Sequence, residues 1–273
     1  MREKDVNLPC RIFAILVMLF LLAPLVVIVI ASFTPTALIT FPPQGFSLKW
    51  YANIFGSSTH FMDGLVNSLK IGILATAADI LLGVTAALSV CRYSFKGKDA
   101  LLNYYTSPMY VPSVAFAFVL LQVYSQIGGV SGMLRIFIGH LIIILPYIVR
   151  NTVSVLHVFN WTLEDAATSL GANPVQVFFK ITLPMLTPMI FFSVIMVTIG
   201  ILQIFDFIYL MVDRQTLSYT YSMSLVTYFY ECAFNKSSMR GYGAAISVVL
   251  AAIIMVITMI QMVGKKYWVR SGE

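Results

Sequence analysis

Few residues in this 273-residue chain could do chemistry: three histidines, three cysteines and a handful of acids in apolar surroundings. His60, His140 and His157 fall in different segments, so their spacing builds no metal site. Cys10, Cys91 and Cys232 are odd in number and far apart, and give neither a disulfide framework nor zinc spacing. Gly97-Lys98 and Gly264-Lys265 lack the earlier glycine and the following Ser or Thr of a phosphate-binding loop. The chain is therefore not expected to bind or hydrolyse ATP. The acids are more telling. Asp79 lies inside a long apolar stretch, where a charge is costly and defaults to a functional candidate. It shares a helical face with Gly72, Ala75, Gly83 and Ala86, so it reads first as a structural hydrogen-bonding group and second as a solute contact. Gln203, Asp206, Tyr209 and Asp213 are spaced as one polar helical stripe. Two acids on such a stripe would favour a cationic solute, if the stripe lines a path. The alternative is a set of buried polar contacts to another helix.

The elements that must position these residues follow from composition. The chain is 59% apolar and 10% charged, with a mean hydropathy of +0.89. Soluble domains carry roughly 25% charged residues, so an ordinary cytosolic enzyme, a disordered chain and a disulfide scaffold are excluded. A membrane-spanning helix needs about 20 apolar residues. Six such stretches occur, at about Ile12–Phe33, Leu65–Val90, Leu101–Ser125, Arg135–His157, Met185–Val212 and Gly241–Gly264. The first follows basic residues as a signal peptide would. Its apolar core is too long and no small-x-small site follows, so it reads as a retained anchor. Placing the N-terminus inside puts Arg2, Lys4, Arg11, Arg92, Lys96, Lys98, Arg150, Lys180, Lys265, Lys266 and Arg270 on the cytoplasmic face. Lys49, Arg135, Arg214, Lys236 and Arg240 stay outside, and Lys70 sits within the second span and snorkels. The excess of bases predicts both termini cytoplasmic. The expected fold is all-α, a polytopic bundle of six transmembrane helices. High pI then reports topology, and no nucleic-acid partner is expected.

One loop stands out between the fourth and fifth spans. Thr162 can cap a short helix with Glu164 and Asp165 in its first turn, where the helix dipole favours acids. Gly171 supplies a left-handed stop, and Asn173-Pro174 restarts a helix with proline at its permitted first position. Ala166 and Ala167 let another surface approach closely. Such a helix suits docking into a partner's groove; otherwise it only connects two spans.

Asp165-Ala166-Ala167, three residues, Gly171, nine residues, then Ile181-x-Leu183-Pro184 resembles the EAA loop of bacterial ABC-importer permeases, the binding-protein-dependent transport family. That family begins the motif with Glu; here Asp165 takes the acidic place beside Glu164. The likeness extends from about Leu65 to Gly264, and includes Asn67-Ser68-Leu69, Gly83, Ala86-Ala87, Arg92 and Phe95. It implies an anchor helix and first outer loop over 1–64, a type I permease domain over 65–264 with its EAA loop at 158–184, and a cytoplasmic tail over 265–273. It further implies that Glu164, Asp165, Ala166, Ala167 and Gly171 couple to a dimer of ATPase subunits, which alone bind ATP and magnesium. A second permease chain, like or unlike this one, an extracytoplasmic substrate-binding protein and the lipid bilayer of the bacterial inner membrane complete the implied surroundings. The chain itself would be a transport subunit and no enzyme.

Signals for cargo divide. Phe41-Pro42-Pro43-x-Gly45-Phe46-Ser47, Gly139-His140, Leu145-Pro146-Tyr147-x-Val149-Arg150 and Ser169-Leu170-Gly171-Ala172 are similar to the spermidine/putrescine permease group. Gln203-x-Phe205-Asp206 and Tyr242-Gly243-x-Ala245-x-Ser247 are similar to carbohydrate permeases. A polyamine-type cation is the expectation and a sugar the alternative, with Gln203, Asp206 and Tyr209 as path residues. The outer segment Tyr219–Phe234 and the loop Thr34–Gly64 are candidates to touch the binding protein, or, for the former, to form an aromatic belt. An autonomous ion-coupled carrier is the rival reading, but no internal repeat is evident. A scaffold without transport would leave the loop unexplained.

Overall fold

The computed structural model describes residues 8–37, 40, 42–56, 58–211 and 222–269. Asp213, Arg214, Tyr219 and several terminal bases lie outside that set. Continuous Leu, Ile and Val carry helix α1 over Leu8–Ser32. At 1.5 Å per residue it exceeds the roughly 30 Å hydrocarbon core, and only Ala31 and Ser32 are buried. The helices that follow are α2 (Lys49–Gly56), α3 (Thr59–Arg92), α4 (Lys98–Thr106), α5 (Ser113–Ile127), α6 (Gly132–Leu156), α7 (Thr162–Ser169), α8 (Pro174–Val177), α9 (Leu183–Gln203), α10 (Asp206–Met211), α11 (Leu225–Tyr230) and α12 (Arg240–Trp268). Among the described residues five helical stretches are long and apolar enough to cross a membrane, and six if the bent pair Lys98–Tyr110 and Ser113–Ile127 counts as one crossing.

That pair corrects the third expected span. Leu101–Ser125 is no straight helix: the two halves meet at 103°. Val111 and Pro112 are extended, with ψ of 128° and 134°. Proline has no N–H to continue the ladder and pushes its predecessor out of the helical region. The fifth expected span, Met185–Val212, is displaced instead: the stretch long and apolar enough to cross is Pro174–Gln203. α9 stops where Ile204 turns extended (ψ 128°), and the chain restarts as α10 at Asp206.

The chain divides into two compact units, 1–61 with 228–252, and 62–227 with 253–273. In the first, the segment after α1 folds back as an aromatic layer. Trp50 Nε1 donates to the Thr34 carbonyl at 2.8 Å, Phe33 stacks on Phe46, and Ser32 and Tyr51 share a 2.7 Å hydroxyl bond. Gly241 makes room for this layer: a Cβ there would meet Trp50 Nε1 at 2.7 Å. In the second, α3 contributes a buried stripe of Gly64, Ser68, Ile71, Ala75, Asp79, Gly83, Ala87 and Val90. The spacing of three and four residues is that of one helix face. Its Ala75 and Ala87 pack into a core with Ile144, Ile148 and Val149 of α6 and Leu186, Val197 and Ile201 of α9, and its Ile71 packs with Ile136 and Ile208.

Asp79 departs from expectation within that stripe. It is fully buried, yet neither carboxyl oxygen has a hydrogen-bond partner. The expected structural bond is thus absent among the described residues. A buried polar group without a partner costs stability. Asp79→Asn is therefore expected to stabilise the detergent-purified chain by about 1 kcal/mol, seen as a rise of about 2–4 °C in melting temperature. A fall of that size would reveal a partner for the carboxylate.

Candidate functional site

Two places bring the sequence candidates into structural context. The first is the loop after α6. Its opening is capped differently from expectation: the Asn160 side-chain oxygen accepts from Thr162 N at 3.2 Å and from the Thr162 hydroxyl. Thr162 is thus inside the helix and donates to the residue before the N-cap; the N-cap itself, Trp161, makes no side-chain cap bond. Its end follows expectation closely. Gly171 has φ +90°, Gly171 N donates to the Thr168 carbonyl at 2.9 Å, and Ala172 N to the Ala167 carbonyl at 3.0 Å. That pair of bonds is the Schellman stop, which needs a left-handed residue where glycine stands. Asn173 then caps α8 through Gln176 N, and the Gln176 side chain accepts from Asn173 N in return, with Pro174 at the first position. A π turn, Phe178–Thr182, joins α8 to α9.

The faces of α7 differ sharply. Asp165 and Ala166 are exposed and Ala167 half-buried. Leu170 is 89% exposed, and Val175 and Phe179 also face outward. Glu164 points the other way: it is 3% exposed, with Arg92 Nη2 at 2.8 Å and the Thr182 hydroxyl donating to it. Leu170, Arg92 and Thr182 were not singled out as site residues. The EAA pattern ranks positions by sequence register, and an eight-residue helix does not reveal which face meets a distant arginine.

The second place is the meeting of the two breaks. Gln203, the last residue of α9, is exposed, and Asp206 opens α10 beyond the break. They are therefore not on one helical stripe, because Ile204 interrupts the periodicity. Asp206 Oδ2 accepts from Ser113 Oγ at 2.6 Å, and Ser113 opens α5 just past the Pro112 break. Tyr209 lies against Phe205, ring centroids 4.6 Å apart. α10 is seated by Phe207, fully buried with Ala117, Tyr124 and Met211. Gly139 of α6 permits this: a Cβ there would lie 2.6 Å from the Phe207 ring. A groove of about 460 Å³ between α6 and α9 reaches Ile204, with Tyr147, Asn151 and Ser193 as its polar wall. Ser113 was legible only as a serine following a proline.

Comparison with known proteins follows from this geometry. Residues 79–265 match the family described as binding-protein-dependent transport system inner membrane component. The chain belongs to that family. The permease is 33% identical over 193 residues to the putrescine transport system permease protein PotI of Escherichia coli (strain K12), covering 68% of each chain. It is 28% identical over 176 residues to the spermidine/putrescine transport system permease protein PotC of Haemophilus influenzae, covering 64% of this chain and 68% of that one. Among solved structures, the permease superposes with a TM-score of 0.77 on a chain of a bacterial ABC transporter involved in the import of the acidic polysaccharide alginate. The identity there is 18%, and 96% and 94% of the two chains are covered. The permease is therefore an all-α, multi-pass protein of the bacterial inner membrane, a transport subunit of an ABC importer that couples to an ATPase.

Proposed function

We propose that the permease forms half of the translocation pathway of a polyamine-type importer, with a second permease chain beside it and a substrate-binding protein above. The observation that carries the cargo reading is Asp206, an acid held by Ser113 where two helices break. Broken helices commonly bracket substrate sites in transporters, since free backbone groups and helix ends gather there. An acid at that point attracts a cationic solute. The likeness to permeases named for putrescine and spermidine supports the same reading. Gln203 and Tyr209 flank Asp206 as further path residues. The proposed orientation is N-in and C-in, with 1–64 as anchor and outer loop, 65–264 as the permease domain and 265–273 as the tail.

On the cytoplasmic side, Asp165, Ala166, Ala167 and Gly171 form the surface that an ATPase dimer grips, extended by Leu170. ATP and magnesium belong to that dimer. Closing of the dimer draws the loops together and rocks the spans between inward-open and outward-open states.

A carbohydrate cargo is the second reading. The Phe205–Tyr209 pair beside Asp206 offers an aromatic face of the kind that suits a sugar ring. One experiment separates the two: Asp206→Asn in proteoliposomes carrying the whole importer. For a diamine cargo the KM for uptake is expected to rise about tenfold, as for loss of a charge-assisted hydrogen bond. Unchanged KM, together with tight binding of a neutral sugar by the cognate binding protein, would overturn the polyamine reading.

A further inference from the structure

Glu164 is misplaced for a docking residue. It is 3% exposed, while Leu163 and Asp165 on either side face solvent. Both oxygens of its carboxylate are engaged. Arg92 Nη2 lies 2.8 Å from Oε2, and the hydroxyl of Thr182, itself fully buried, donates to Oε1. Arg92 sits in the last turn of α3, where a cation also complements the helix dipole. Thr182 closes the π turn that leads into α9. One carboxylate therefore pins three stretches of chain that are remote in sequence. Glu164 is the buried partner and Arg92 keeps 37% of its side chain exposed, so losing the arginine leaves a buried carboxylate uncompensated.

We propose that Arg92, Glu164 and Thr182 form an internal joint that passes displacement of α7 directly to α3 and α9. Glu164 is then a positioning residue inside the permease and makes no contact with the ATPase. The joint divides the loop's labour: the exposed residues from Asp165 to Leu170 receive the push, and Glu164 delivers it to the spans. α3 and α9 are the helices that approach each other at Gly72 and Ile201, so both walls of the core receive the movement. This proposal rests on the importer reading of the loop.

The test uses the complete importer, purified through a tag on this chain and reconstituted in liposomes. The readouts are cargo moved per ATP hydrolysed and the amount of ATPase subunit retained. Glu164→Gln is expected to lower cargo moved per ATP about tenfold, the size of an ordinary coupling energy, with the ATPase still retained. The paired exchange of Arg92→Glu with Glu164→Arg is expected to restore most of the ratio. Thr182→Val is the milder variant, with a loss of about threefold, and it keeps the test open if the charge variants fail to accumulate. Release of the ATPase by Glu164→Gln, with no rescue by the exchange, would identify a docking contact and overturn the joint. Native coupling in all three variants would overturn it as well. If the native complex holds no ATPase at all, the importer reading fails first and takes the joint with it.

Discussion

Leu170→Glu is expected to abolish ATP-driven uptake while the chain still inserts and folds. Leu170 follows α7, is 89% exposed, and adjoins the left-handed Gly171. An exposed side chain surrenders no core packing when replaced, so stability is expected to change by less than about 0.5 kcal/mol. An apolar residue held this far out on a rigid Schellman turn has the character of an interface anchor. A glutamate there would bury an unpaired charge against the ATPase, where anchors are worth about 2–4 kcal/mol, and uptake should fall by about a hundredfold or more. Uptake in proteoliposomes and retention of the ATPase on the tagged complex measure both halves. Full uptake with the glutamate in place would show that this turn meets no partner. Gly171→Ala offers a graded companion: open space surrounds it, and only its φ of +90° is strained, so a cost of about 1–2 kcal/mol falls on the turn itself.

Gly83→Leu is expected to give the largest loss of stability in the chain. A Cβ at position 83 would lie 2.5 Å from Ile148 Cγ2, 2.8 Å from its Cβ and 3.5 Å from Val149 N. The backbone of α3 thus lies against the branched Cβ of Ile148 on α6, close to that helix's own backbone, with no flexible side-chain tip to yield. Small residues permit such close helix approach within membranes. Inserting one methyl, as in Gly83→Ala, should cost about 1–3 kcal/mol. A leucine must part the helices and open the core of Ala75, Val84, Ile148 and Val149. Its cost of about 4 kcal/mol or more approaches the whole margin of a marginally stable fold. Loss of the monodisperse peak in size-exclusion chromatography of the detergent-solubilised chain is the expected result. A native melting temperature for Gly83→Leu would refute the contact.

Local chemistry explains which features could be read before the fold was known. The stop at Gly171 and the restart at Asn173-Pro174 depend on a few neighbouring residues, and they stand where they were placed. The small-residue face of α3 is likewise a matter of one helix's periodicity, and Gly72, Ala75 and Gly83 do face its neighbours. The break at Pro112 was also legible: Ser107-Pro108 and Val111-Pro112 lie inside the stretch, but overall hydrophobicity outweighed them. The break at Ile204 has no such mark, since neither proline nor glycine stands at 201–206. It follows from how α10 seats Phe207 against α5 and α6, which is tertiary information. For the same reason the burial of Glu164 has no mark in the sequence. Its partners, Arg92 and Thr182, lie 72 and 18 residues away, and only the fold brings them to its two oxygens.

The two breaks also bear on how the bundle can move. A continuous membrane helix is stiff, and bending it strains a whole ladder of hydrogen bonds. Here one crossing is bent by 103°, another helix stops at Ile204, and the restarts beyond the two breaks are tied to each other by Ser113 and Asp206. α10 is thereby seated on α5 twice over, by that bond and by Phe207 against Ala117 and Tyr124. A displacement of α5 would therefore carry Asp206 with it.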